Sequence, residues 1–198
     1  MKTTFLSLLA AITLLAGCET KHSETKDQLA EAGQDTAVMT RDAGSAAAIA
    51  GDDWNMSTAK LNDVKFSEIT SSGVTVRGDS TYNVYSVDEK VLFDTEKAEI
   101  KPGAAEALQQ ITGSIGQRYG TSQVRVMGFD DSRGDKSYNR DLSEKRAEAV
   151  KSYLVGNGKI EAARVSVEPM GEAMPVATNA TATGRQENRR VEIAVRTK

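Results

Sequence analysis

Gln123-Val124-Arg125-Val126-Met127-Gly128-Phe129-Asp130-Asp131-Ser132-Arg133-Gly134 runs from alternating residues into a tight polar cluster. Tyr138-Asn139-Arg140-Asp141-Leu142-Ser143-Glu144-Lys145-Arg146-Ala147 follows shortly after it. The first five residues alternate polar and apolar in the manner of a half-buried strand, and Gly128 marks its end. The Asp-Asp-Ser-Arg-Gly-Asp cluster is turn chemistry. From Leu142 the period becomes helical. Leu142, Ala149, Val150, Tyr153 and Leu154 share one face, Glu144, Lys145, Glu148 and Lys151 lie between them, and Gly156 and Gly158 close the helix.

Arg146 falls four residues after Leu142 and three before Ala149, which puts a guanidinium on the apolar face of that helix. A buried guanidinium needs acceptors, because an unpaired buried charge is strongly destabilising. Asp131, at the mouth of the preceding strand, is the expected partner. On an extended chain adjacent side chains point to opposite sides, so Asp130 is expected to face away from it. Two readings of the pair stand side by side: a structural pin between strand and helix, or one pocket offering a carboxylate and a guanidinium to a ligand that carries both charges.

Outward from this stretch, Pro102 opens a second helix whose stripe is Ala104, Leu108, Ile111 and Ile115, and Gly120 ends it. Leu92-Phe93 reads as a strand before it. Val165 and Val167 suggest a third strand and Val191, Ile193 and Val195 a fourth, with a long loop from Met170 to Glu187 between them. The order strand, helix, strand, helix, strand, strand predicts an α+β fold with the helices packed on one face of a mixed sheet. Val64 to Val87 is β-branched and aromatic with turn signals at Ser71-Ser72-Gly73 and Gly78-Asp79, and reads as a hairpin-like extension (residues 64–87) ahead of a domain spanning 88–198.

These residues carry a resemblance. Val91-Leu92-Phe93-Asp94 with Ala98-Glu99-Ile100-Lys101-Pro102, the Gly128 to Ala147 stretch, Gly171-Glu172-Ala173-Met174-Pro175, Asn179, Gly184-Arg185 and Asn188-Arg189-Arg190-Val191-Glu192-Ile193 together resemble the OmpA-like, Pal-type peptidoglycan-binding domain, in order, from about Tyr85 to Lys198. The resemblance implies an OmpA-like sandwich that binds the diaminopimelate residue of the peptidoglycan stem peptide non-covalently. It implies that Asp131 and Arg146 grip that residue while Asn139 and Asp94 help shape the pocket. One departure stands out: where the family commonly has Gly-His-Thr-Asp, this chain has Gly128-Phe129-Asp130-Asp131, adding a negative charge beside the binding pair.

The front of the chain has a short basic start at Met1-Lys2, an apolar run from Phe5 to Leu15, and Leu15-Ala16-Gly17-Cys18 ending in the sole cysteine. This reads as a secretory signal over residues 1–17, too short to span a bilayer, and its end resembles the bacterial lipobox. The expectation is cleavage before Cys18, lipidation of that cysteine with acyl chains such as palmitate, and, since Glu19 is not Asp, an outer-membrane destination with the domain in the periplasm. Residues 18–63, rich in Ala, Gly, Ser, Thr and charge, read as a flexible tether. A coil of about 45 residues spans roughly 35 to 40 Å and stretches to about 150 Å.

The 198 residues carry 25 basic and 28 acidic side chains, a net charge of −3, which argues against nucleic acid and against electrostatic attachment to a membrane surface. His22 is the sole histidine and lies in the tether, which removes histidine triads and histidine-based metal sites. No glycine-rich phosphate loop follows a strand, so no cofactor is expected, and no feature supports wall hydrolysis. The sequence reading is therefore a non-enzymatic lipoprotein that tethers the outer membrane to peptidoglycan. The alternative is an envelope protein-interaction lipoprotein presenting Phe129, the 170–187 loop or the front hairpin to a protein partner.

Overall fold

The computed structural model describes residues 54–197. The signal segment, Cys18 and most of the expected tether lie outside the described residues. Six strands form one sheet in the order β1-β2-β3-β6-β4-β5. They are β1 (Asn62–Asp63), β2 (Val74–Gly78), β3 (Tyr82–Asp88), β4 (Val124–Phe129), β5 (Val165–Gly171) and β6 (Arg190–Arg196). All neighbouring pairs are antiparallel except β4 with β5, which the helix α3 (Lys136–Gly156) connects as a parallel crossover.

The helices α2 (Ala105–Arg118) and α3 cover one face of the sheet. Leu108, Ile111 and Ile115 of α2 and Ala147, Val150 and Leu154 of α3 pack with Tyr85, Val87, Val126, Val191, Ile193 and Val195 in one buried cluster. The expected apolar stripes therefore meet the alternating strand residues, and the α+β reading holds. α3 begins six residues before Leu142 because the Asp135 side chain accepts from the backbone N–H groups of Ser137 and Tyr138, capping the helix there.

Three sequence expectations are corrected. Leu92-Phe93 is not a strand: Glu89–Leu92 forms the single turn α1, and Phe93 follows in extended conformation. The first long strand is β3 instead, inside the expected extension, paired on one side with β2 and on the other with β6. The hairpin is thus part of the sheet and not an appendage to it. Nor does the tether reach residue 63. Trp54 stacks on Tyr82 with ring centroids 5.4 Å apart, and Met56 and Leu61 pack with Val84, Met127, Phe129 and Ala194 on the sheet face opposite the helices. Composition concealed this because three large apolar side chains suffice when a prepared surface receives them.

Segment 64–73 closes the edge of the helical layer. Glu68 accepts from Ser114 Oγ at 2.7 Å and from Arg118 Nε at 2.6 Å, and Ser114 in turn meets the Tyr85 hydroxyl at 2.8 Å. Arg118 also lies 4.0 Å over the ring of Phe66. The hydrogen bonds from Arg118 hold the Glu68 carboxyl down at about 2.

Gly128 sets the distance between sheet and helix. A Cβ built there would stand 2.1 Å from the Ser143 carbonyl oxygen of α3, a contact that no side-chain rotation relieves. Ser143 is fully buried, and its Oγ accepts from the Gly171 N–H at 3.1 Å and donates to the Arg140 carbonyl at 2.7 Å. Strand ends β4 and β5 are thereby fastened to the same turn of α3.

Gly128→Ala is expected to destabilise the domain by about 1–3 kcal/mol or more, the range for overpacking, read as a lower urea midpoint at unchanged slope. An unchanged midpoint contradicts the contact. Because the folded-state value of Glu68 lies below its unfolded one, its stabilisation is present above the ordinary carboxylate range and disappears as pH falls toward about 2. Glu68→Gln is therefore expected to melt below wild type at neutral pH, the two curves converging in acid.

Candidate binding site

Beyond Phe129 the strand alternation ends. Asp130 N–H donates to the Gly171 carbonyl at 2.7 Å, and Asp130 Oδ1 accepts from the N–H of Asp131 at 2.9 Å, a local turn that swings both carboxylates to the same side. The expectation that Asp130 faces away from Asp131 is therefore overturned: both line one cavity of about 590 Å³. Arg146, Asn139 and Asp94 line it as well, so the four residues singled out from the sequence are brought together.

Their pairing differs from expectation. Arg146, only 2 % exposed, does not pair with Asp131. Its Nη2 bonds Glu89 Oε1 at 2.5 Å, its Nη1 lies 3.5 Å from Asp130 Oδ2, and its Nε donates to the Lys97 carbonyl at 3.0 Å. The Phe93 ring lies 5.6 Å from the guanidinium carbon. Glu89 Oε2 accepts from Arg189 Nε at 3.1 Å, and Arg189 Nη1 bonds Asp131 Oδ2. The charges thus alternate along a chain from Asp130 through Arg146, Glu89 and Arg189 to Asp131.

Burial has distinct consequences along this chain. It pushes the Asp130 carboxyl above the usual range; the Asp131 N–H and Arg146 oppose that shift, while Asp131 and Glu89 add to it. For Arg189 burial works against the charged form, yet the hydrogen bonds it donates to Asp131 and Glu89 outweigh it and raise the guanidinium's value.

Asn139 is positioned by the turn: its Nδ2 donates to the carbonyls of Asp131 at 3.1 Å and Arg133 at 2.8 Å, so its role is to hold the 130–134 loop. Asp94 stands exposed at the rim, 3.6 Å from Lys97 Nζ. The opposite wall comes from the 172–189 segment. Asn188 Oδ1 accepts from the N–H groups of Val176 and Ala177, each at 2.9 Å, and its Nδ2 reaches Asn179, whose Oδ1 also accepts from the N–H of Ser132 at 3.3 Å. The segment read as loop contains α4 (Ala182–Asn188), capped by Thr181 Oγ1 on the Gly184 N–H.

Glu89 and Arg189 are the site residues that the sequence reading did not assign. Arg189 stood inside a quoted motif, but Glu89, in Asp88-Glu89-Lys90, gives no signal of burial. Among the described residues no group of side chains is arranged to hold a metal ion, and no helix is long and apolar enough to cross a membrane.

Helices on one face of a mixed sheet, with a half-open charged pocket where the strand ends meet α3, define a binding domain. Residues 92–189 match the OmpA family. The chain is 31% identical over 111 residues to the putative lipoprotein YfiB of Escherichia coli, covering 56% of this chain and 69% of that protein. It is 34% identical over 137 residues to the probable lipoprotein YiaD of the same organism, covering 69% of this chain and 60% of that one. The cell wall anchor of the T6SS from Pseudomonas aeruginosa superimposes with a TM-score of 0.58 at 32% identity, over 64% of this chain and 89% of that one. The chain belongs to the OmpA family. It spans 60% of the length of YiaD and as little as 13% of other relatives, so the similarity concerns this domain.

Arg146→Met is expected to destabilise the fold by about 3–5 kcal/mol, because it leaves Asp130 without its cation and Glu89 with Arg189 alone, both buried. Adding Glu89→Gln and Asp130→Asn to that background is expected to restore much of the loss, measured by chemical denaturation. Equal stability of the single and triple variants contradicts the coupling.

Proposed function

We propose that the chain is a lipid-anchored outer-membrane lipoprotein whose domain binds the diaminopimelate-containing stem peptide of peptidoglycan and so tethers the outer membrane to the cell wall. The observation that carries this reading is the pocket itself. Asp131 and Arg146 line one cavity as members of the same alternating charge chain, with carboxylates for a ligand ammonium and guanidinium N–H groups for a ligand carboxylate. A diaminopimelate side chain ends in both groups on one carbon. The cavity suits such a ligand in size and in its polar lining.

Binding follows from the chain's own residues. The Arg146 N–H groups beyond those given to Glu89, Asp130 and Lys97 donate to the ligand carboxylate, and Asp131 accepts from the ammonium in competition with Arg189. Asn139 keeps the 130–134 loop in place, and Asp94 contributes at the rim. Cys18, lipidated after cleavage of residues 1–17, supplies the anchor, and the residues between it and Trp54 supply reach. The names of the lipoprotein relatives and of the T6SS cell wall anchor support the same assignment.

A protein-partner reading finds support, among the described residues, in the 172–181 segment. Met174 and Val176 of the 172–181 segment are 47% and 50% exposed, which suits a partner contact. Phe129, considered for that role from the sequence, is buried beneath Arg190, whose guanidinium lies 3.7 Å over its ring.

The test is co-sedimentation of the chain with purified diaminopimelate-type sacculi, beside Asp131→Ala and Arg146→Lys variants verified as folded by circular dichroism. Wild type is expected in the pellet and both variants in the supernatant, with no soluble muropeptides released. Wild type remaining in the supernatant contradicts wall binding, and retention only with another envelope protein present moves the assignment to a protein partner.

A further inference from the structure

Arg146 already faces two carboxylates before any ligand arrives, and the two are held differently. Glu89 shares its oxygens between Arg146 at 2.5 Å and Arg189 at 3.1 Å. Asp130 gives Oδ1 to the Asp131 N–H, while its Oδ2 lies 3.5 Å from Arg146 Nη1, well beyond the length of a charge-assisted hydrogen bond. Asp130 is 8% exposed, so water does little to compensate it. The charged groups facing it are Arg146 from α3, Glu89 from α1 and Asp131 beside it, one cation against two further anions, with Arg189 at one remove.

A ligand carboxylate docking on Arg146 would be a third carboxylate on one guanidinium. Like charges crowded into a site with little solvent do not all stay ionised; the least compensated member takes up a proton. Here that member is Asp130. Once protonated, its carboxyl becomes a donor, and a neutral acid beside a bound carboxylate is an added hydrogen bond in place of a repulsion.

We infer that Asp130 is the specificity determinant of this pocket: it occupies Arg146 in place of a ligand carboxylate and must accept one proton for a carboxylate ligand to bind, whereas a ligand carrying a carboxamide at that position binds without proton uptake. The balance is one proton taken from solvent per carboxylate bound, with no bond made or broken elsewhere. This rests on the proposed reading of the pocket as a diaminopimelate site, and it makes that site sensitive to wall amidation and to periplasmic pH. Burial of Asp130, which already favours its protonated form, is consistent with such a role.

Isothermal calorimetry with the full chain tests this, using a soluble muropeptide with a free diaminopimelate carboxyl and its carboxamide analogue. Each is titrated between pH 5 and pH 8 in two buffers of different ionisation enthalpy. For the carboxylate probe, wild type is expected to take up a proton and to lose affinity as pH rises, by up to about tenfold per pH unit. Asp130→Asn is expected to show no uptake, a flat profile and about tenfold tighter binding at neutral pH; Asp130→Thr serves if that variant does not fold. The carboxamide probe should show no uptake with either protein. Identical profiles for wild type and Asp130→Asn overturn the inference while leaving the ligand assignment standing. Absence of binding by folded wild type and variants to both probes at every pH overturns the assignment, and the inference with it.

Discussion

The approach of β4 to α3 at Gly128 and Ser143 is the constraint on which the pocket depends. Backbone meets backbone there with no room for a Cβ, and the Ser143 hydroxyl ties in the end of β5 through the Gly171 N–H. Two strand ends and one helical turn are thus fixed against each other within a hydrogen bond's length. The residues just beyond, Asp130 and Asp131 on the strand side and Asn139 and Arg146 on the helix side, inherit that precision. A larger residue at either position would push the helix outward and separate the carboxylates from the guanidinium. Sites built on rigid elements in this way keep their geometry without a ligand to organise them.

The electrostatics carry a cost that the fold sets against binding. Three buried carboxylates share two guanidiniums, and a buried ion pair is weak evidence of stability, because apolar residues of similar volume often do as well. The chain of alternating charge makes sense as a prepared surface for a ligand with its own pair of opposite charges. Under the proposed reading each internal partner stands in for a ligand group: Arg189 for an ammonium on Asp131, Asp130 for a carboxylate on Arg146. On that reading recognition would exchange internal pairs for external ones, and the strength of each internal pair would set what the ligand must offer.

The other face of the sheet has its own logic. Arg125, Arg190 and Glu192 are buried there beside Phe129 and Met127, and the segment from Trp54 to Leu61 lies over part of it. Trp54 is stacked on Tyr82, with the guanidiniums of Arg125 and Arg196 within 4.8 and 5.1 Å of its ring. The described residues therefore begin held flat against the sheet, on the face opposite the helices.

By itself the sequence determined the α+β layering, because period two and period 3.6 are local properties and both apolar stripes must be buried. Spacing also pointed to Asp131 and Arg146 as neighbours, and the family resemblance added Asn139 and Asp94, all four of which line the cavity. Only the tertiary structure decided who pairs with whom. Glu89 and Arg189 are separated by 100 residues and meet only through the β3–β6 pairing, and Asp130 turns inward because a backbone hydrogen bond ends the alternation that the sequence pattern extrapolates. The same reason hid β3 inside an apparent extension and Trp54 inside an apparent tether. Local pattern reports which faces are apolar, whereas partnership depends on long-range contacts that no window of sequence contains.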